Sequence, residues 1–194
     1  MLGKAKPFPV IIVAPSGAGK STICENIISR LAGIKYSISV TTRKPREGEV
    51  NGKDYFFISK SDFHKWVEEN KFCEWAEVYG ELYGTPKDTI NQYLSEGYNV
   101  LLDIDIQGAK NIKLIYSDAI SIFILPPSIK ELETRLVNRN QDSSDEINKR
   151  LEFAQIEISH LKEFDYGVAN ENINVATEKI MSIIIAEGCK TERL

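Results

Sequence analysis

The stretch Phe8-Pro-Val-Ile-Ile-Val-Ala-Pro-Ser-Gly-Ala-Gly-Lys-Ser-Thr22 decides the fold. Phe8–Val13 is a short apolar run with the length of a buried strand, and Ser21–Leu31 has the pattern of a helix, with Gly33 just beyond its end. Between them lies a Gly-rich turn closed by Lys20 and Ser21. Strand, Gly-rich turn, Lys-Ser, helix is the order of a phosphate-binding P-loop. The glycines let backbone N–H groups turn inward onto phosphate oxygens, and the helix points its positive end at the same anion. Ala14, Pro15, Ser16, Gly17, Ala18, Gly19, Lys20, Ser21 and Thr22 are therefore the expected ATP-phosphate site. Lys20 is expected at the β- and γ-phosphates and the Ser21 hydroxyl on Mg²⁺. The strict motif begins with Gly where this chain has Ala14, a departure that matters only if position 14 needs a positive φ.

Working outward, Asn99–Ile104 and Ala119–Leu125 read as two further buried strands, and helical patterns cover about 107–116, 128–139, 145–161 and 174–187. Strands alternating with helices predict an α/β three-layer P-loop fold with a parallel core sheet. Two stretches break the rhythm. About 36–85 is rich in aromatics, charges and short strand-like runs such as Tyr55–Ile58, which predicts a small β-rich insert. Asn138–Asp145 is polar and lies between two helices, as a mobile lid would. The expected layout is a single domain over 1–194: core about 8–35, 86–137 and 160–194, insert about 36–85, lid about 138–159.

Leu101-Leu102-Asp103-Ile104-Asp105 places two carboxylates at i and i+2 after an apolar run. If the strand extends that far, both share a face, one for the Mg²⁺ shell and one for the acceptor. Two acids at a solvated strand end would give the same pattern.

Composition narrows the rest. A chain of 194 residues with a net charge of −4 does not attract nucleic acid through bulk charge. Cys24, Cys73 and Cys189 are far apart and odd in number, against a disulfide framework and for a reducing compartment. His64 and His160 are the only histidines, so no zinc-type cluster is visible. The apolar runs are far below a membrane span and the first residues do not read as a signal peptide, so the expected location is cytoplasmic.

Five further motifs carry a resemblance. Ser39-Val-Thr-Thr-Arg-Lys-Pro-Arg46, Glu49-Val-Asn-Gly-Lys-Asp-Tyr55, Glu74-Trp75, Tyr83-Gly-Thr85 and Leu102-Asp-Ile-Asp-Ile-Gln-Gly108 follow in an order and spacing that resembles guanylate kinase, from about Val10 to Glu187. The resemblance implies ATP and GMP or dGMP as partners, Mg²⁺ as cofactor, and transfer of the γ-phosphate to GMP in purine nucleotide metabolism. It implies that Arg43, Arg46, Tyr55 and Tyr83 hold the GMP phosphate, and that Ser39, Glu74, Thr85 and Asp105 hold the guanine. Arg135, Arg139 and Arg150 match lid-side arginines that close on the phosphates, and Asn170 matches a position near the adenine. Lys20, Arg43, Arg139 and Arg150 are the expected catalytic set, with Ser21 and Asp103 on the metal.

The residues make chemical sense of this set. A phosphate monoester is mostly a dianion at neutral pH, with a second pKa near ~6, and is already a nucleophile. Catalysis then needs cations and positioning rather than a base. Arg43 and Arg46 offer bidentate forks that Lys cannot copy, although Glu47, Glu49 and Asp54 also fit a solvated mixed-charge loop. An ionised Glu74 accepts from guanine N1–H and N2–H₂, whereas adenine N1 would face it lone pair to lone pair. Thr85-Pro86 also reads as a helix N-cap followed by Pro at the first helical position, so the Thr85 hydroxyl is expected to accept from the helix and donate to guanine O6. Arg135 and Arg139 share a helix face, and Glu131 is also placed for an ordinary ion pair with Arg135. Trp66, Phe72, Trp75 and Cys73 read as core. The rival readings are a non-catalytic protein-binding relative, disfavoured by the intact Lys20, Ser21, Arg43 and Arg46, and a P-loop kinase for another monophosphate or a GTPase.

Overall fold

Pro9–Val13 (β1) is buried on both faces, and that fact organises the molecule. The computed structural model describes residues 5–78, 80–138 and 144–194. β1 pairs in parallel with Asn99–Asp103 (β7) on one side and Ile120–Leu125 (β8) on the other. Ile34–Tyr36 (β2) adds to β7 and Tyr166–Ala169 (β9) to β8, both in parallel, which gives the order β2-β7-β1-β8-β9.

Alternation along each strand loads two cores. Val10, Ile12, Leu101, Ile122 and Ile124 face one layer, formed by Lys20–Arg30 (α1) and Ile173–Gly188 (α7) through Ile23, Ile27, Ala176, Ile180 and Ile184. Ile11, Val13, Val100, Leu102 and Phe123 face the other, where Lys87–Ser95 (α3) supplies Ile90 and Ile106–Ile115 (α4) supplies Ala109 and Ile112. Each fully buried aliphatic side chain contributes about 1.5–3 kcal/mol. The three-layer α/β fold with a parallel core sheet thus stands as expected, and the phosphate-loop strand is its centre. Crossover connections leave the loops after β1 and β7 at one edge of the sheet, where α/β proteins bind ligands.

The insert is a second sheet. Val40–Thr41 (β3) pairs in parallel with Phe56–Phe57 (β4) and antiparallel with Glu81–Pro86 (β6), which pairs in turn with Phe72–Val78 (β5). A helix not expected from the sequence, Lys60–Glu68 (α2), covers it; Ser59 caps its start by accepting from Asp62 N at 3.1 Å. Phe63 of α2 packs with Val40 and Leu82 and stacks on Phe72. Gly84 is required here, because a β-carbon would stand 2.8 Å from the Phe72 ring. Trp66 and Phe72 join this small core as expected, but Trp75 is 46% exposed. It still meets the Phe63 ring edge to face, with the ring centres 6.4 Å apart.

Ile129–Asn138 (α5) and Ser144–Ser159 (α6) pack through Leu132, Leu136 and Ala154. Among the described residues no helix is long and apolar enough to cross a membrane.

Candidate active site

The cradle begins where β1 ends. Gly17 and Gly19 carry φ of 89° and 91°, values closed to residues with a β-carbon, while the only non-Gly residue with positive φ among those described is Asn70. Position 14 therefore never needed a glycine, and Ala14 is buried without strain. Gly19 is the N-cap of α1 and provides no side-chain cap; the first turn holds no acidic residue. The N–H groups of that turn are left for an anion.

Lys20 points back along the sheet edge. Its Nζ lies 2.5 Å from Asp103 Oδ1 and 3.5 Å from the Ile104 carbonyl. Burial works against the ammonium, but the Asp103 charge and hydrogen bond outweigh it and hold the Lys20 pKa above its ordinary value. Asp103 ends β7, whereas Asp105 lies beyond the strand and caps α4, its Oδ1 accepting from Gly108 N at 2.7 Å. The expectation that strand alternation aligns the two carboxylates fails for that reason: a helix start, not a strand, sets the orientation of Asp105.

Cradle and insert face one another across a cavity of about 510 Å³. Ser16, Lys20, Ser21 and Asp103 line one end, and Ser39, Glu74 and Tyr83 the other, with Asp105 also on the wall. A second cleft of about 570 Å³ runs beside α1 and is lined by Arg43 and Arg46. The two spaces share Ser21, Tyr55 and Asp103 on their walls. The Arg43 guanidinium sits 5.4 Å from the Tyr55 ring centre, and the Tyr55 and Tyr83 rings meet edge to face at 6.1 Å. Its Nη1 and Nη2 donate to Glu49 at 2.9 and 2.8 Å, and this pairing holds the Glu49 carboxyl below its ordinary range.

Glu74 and Thr85 are directly opposed on β5 and β6, and the Thr85 hydroxyl donates to Glu74 Oε1. Burial pushes the Glu74 carboxyl up to about 7, against the pull of the Thr85 hydrogen bond and with help from the Asp105 charge. The N-cap expectation for Thr85 is corrected here. Pro86 occupies the N-cap position of α3, no side chain caps that helix, and Thr85 is still in the strand, 1% exposed and turned to Glu74.

The lid-side residues fall around the loop rather than in the cavity. Arg150 Nη1 donates to Ser16 Oγ at 3.0 Å, which ties α6 to the cradle. Arg135 pairs with Glu131 at 3.1 Å, the ordinary helix-face contact, and reaches the Asn170 carbonyl at 3.4 Å. Asn170 is buried; its Nδ2 donates to the Ala18 carbonyl at 2.7 Å. Arg139 lies outside the described residues.

Three positions were given no role from the sequence. Glu157 of α6 lines the cavity; burial raises its pKa, and the Lys20 charge opposes that shift. It follows Arg150 by seven residues, two helical turns along the same face, which was a legible signal. Glu49 and Gly108 are the others, both inside quoted motifs, but their partners are set by tertiary contacts.

A strand-loop-helix cradle on a central parallel strand, facing a polar cavity, defines a P-loop nucleotide-binding α/β protein. The guanylate kinase family model matches residues 6–187. Guanylate kinase from Caldanaerobacter subterraneus subsp. tengcongensis is 47% identical over 190 residues, 98% of this chain and 92% of that one. The Geobacter metallireducens guanylate kinase is 46% identical over 184 residues, 95% and 91% of the two chains. The crystal structure of guanylate kinase from Anaplasma phagocytophilum aligns with a TM-score of 0.81 at 34% identity, covering 100% of this chain and 92% of its own. The chain belongs to the guanylate kinase family.

Proposed function

We propose that this chain transfers the γ-phosphate of ATP to the phosphate of GMP, giving ADP and GDP. The observation that carries the reading is one cavity with a phosphate cradle at one end and a half-buried carboxylate, Glu74, at the other. The cradle N–H groups and Lys20 hold the donor phosphates. Arg43, Arg46, Tyr55 and Tyr83 surround the acceptor phosphate, and Glu74, with Ser39 and Asp105 nearby, reads the guanine edge. The acceptor oxygen is already anionic, so no residue needs to take a proton from it. Lys20 and the arginines offset the charge that builds between two phosphates brought in line. Arg150 on α6, tied to Ser16, supports a lid over 138–159 that shields the transfer from water.

The residues present fit Mg²⁺ in the manner usual for a nucleotide kinase. Ser21 and Asp103 offer a hydroxyl and one carboxylate on the same wall, and among the described residues no cluster of three or more His, Cys, Asp or Glu forms a preformed cage. Mg²⁺ is commonly held by one or two carboxylates plus the substrate's own phosphates. When bound with ATP it supplies charge neutralisation at the β- and γ-oxygens.

A coupled ADP-release assay with GMP, dGMP, AMP, CMP, UMP and dTMP tests the reading. Turnover is expected with GMP, and turnover with AMP or dTMP but none with GMP would falsify it.

A further inference from the structure

We propose that Glu49 is a positioning residue for the acceptor phosphate: it clamps the end of the Arg43 guanidinium so that the side fork of that group is presented to the phosphate. The proposal rests on the reading of Arg43 as an acceptor-phosphate arginine.

A guanidinium carries five N–H groups in one plane. Glu49 takes one hydrogen from Nη1 at 2.9 Å and one from Nη2 at 2.8 Å, and the Lys44 carbonyl takes the other Nη1 hydrogen at 2.8 Å. Two hydrogens are left to the Nε–Nη2 edge, which is itself a fork of the shape that matches two phosphate oxygens. The Tyr55 ring beside this guanidinium, 5.4 Å away, meets the Tyr83 ring edge to face at 6.1 Å.

Glu49 does more than hold one side chain. Its Oε2 also accepts from Arg46 N at 2.7 Å, and its own N–H donates to the Arg46 carbonyl at 3.1 Å. One carboxylate therefore closes the loop that carries both acceptor arginines. The pair is half-buried, with side-chain exposures of 16% for Arg43 and 19% for Glu49. The Tyr55 and Phe57 rings, 5.4 and 5.8 Å from the guanidinium carbon, limit its swing.

This arrangement sets two physical effects against each other. By charge alone, a carboxylate beside a phosphate site is unfavourable, and Glu49→Gln would tighten GMP binding. By positioning, loss of the charged clamp loosens the fork and weakens binding, because an arginine must be held before it can contribute orientation. The direction of the change decides between them.

The test uses the full chain and steady-state kinetics for E49Q, E49D, R43A and the R43A/E49Q double variant, with thermal midpoints for each. E49Q is expected to raise the GMP KM about tenfold and lower kcat, with the ATP KM within about twofold. E49D, which keeps the charge, is expected to recover part of the loss. The double variant is expected to be no worse than R43A, since Glu49 acts through Arg43. An E49Q enzyme with an unchanged or lower GMP KM, while R43A raises it, overturns the proposal and leaves the reading of Arg43 intact. R43A with an unchanged GMP KM overturns both. E49Q losses that add fully to those of R43A also overturn the clamp, because they show Glu49 acting on its own.

Discussion

The Glu74 carboxyl rests against the backbone of Gly108: a β-carbon built on that glycine would stand 3.1 Å from Glu74 Oε2 and 3.3 Å from Asp105 Oδ1. Gly108 lies inside α4, and its φ is not in the left-handed region. Its lack of a side chain therefore serves the carboxylates and not the helix. Gly108→Ala should separate the two effects. The helix gains about 0.5–1 kcal/mol from the better helix former, so the thermal midpoint should hold or rise. Glu74 must shift by a few tenths of an ångström, and the GMP KM should rise roughly fivefold with the ATP KM unchanged. Melting curves and kinetics on one variant check both halves; a stable variant with wild-type GMP KM removes Glu74 from guanine recognition.

A second expectation concerns pH. Burial lifts the Glu74 pKa from 4.5 to about 7. Between those values the folded chain keeps a proton that the unfolded chain releases. This group's contribution to stability is thus full below about 4.5 and is lost as pH rises through 7. Guanine capture needs the opposite state, because only the ionised carboxylate accepts from both N1–H and N2–H₂. The Glu74-dependent part of the GMP KM should therefore fall about tenfold between pH 6 and pH 8, as the ionised fraction grows. The GMP phosphate also titrates in this range, near ~6. Glu74→Gln keeps the phosphate's titration and loses the carboxyl's, so its profile should be flatter than the parent's; equal profiles would discard the assignment.

Thr85 gives a sharper discrimination. Its hydroxyl donates to Glu74 and pulls that carboxyl's pKa down. In Thr85→Val the pull is gone, the carboxyl titrates higher, and the GMP KM near pH 7 should rise several-fold. At pH 8.5 and above the gap should narrow, because Glu74 ionises in both enzymes. A direct bond from Thr85 to guanine O6 would instead leave the gap constant across pH. The lost hydrogen bond should cost about 1 kcal/mol of stability, read as a small drop in the thermal midpoint.

The cradle was legible because P-loop chemistry is local: strand, turn, Lys20 and helix follow one another without interruption from Pro9 to Arg30, and every element obeys nearest-neighbour rules. The core strands and the helices after Ile106 were legible for the same reason, through apolar periodicity. The edge strands β2 and β9 were not, being three and four residues long and too short for a pattern. Thr85 misled because Thr-Pro is a strong local cap signal, and a cross-strand carboxylate overrode it. Asp105 misled in the opposite way, since a local cap overrode an assumed strand. Glu49 was visible only as a charge in a mixed loop; its bidentate contact with Arg43 depends on the turn between them. Sequence thus named the candidate residues, while the partners that orient them came from packing.

Asn170 is the last case, and it turns on the same distinction. The resemblance places it near adenine, yet its side chain lies beneath the phosphate loop. Its Nδ2 donates to the Ala18 carbonyl at 2.7 Å, and a β-carbon on Gly19 would stand 2.5 Å from that nitrogen. At 2% exposure no water can replace the contact easily. Asn170→Ala leaves the Ala18 carbonyl without this partner, which should cost about 1–3 kcal/mol and lower the thermal midpoint by about 2–4 °C for each kcal/mol. The loop should also lose its fixed height over β1, so the ATP KM should rise about tenfold while the GMP KM stays within about twofold. Asn170→Asp sharpens the test. It keeps the shape but turns the donor into an acceptor facing a carbonyl, so it should be worse than Ala in both respects. If the aspartate variant behaves like the parent, the brace under the loop is not what Asn170 provides. An ATP KM that moves without any change in melting would point instead to direct contact with the nucleotide.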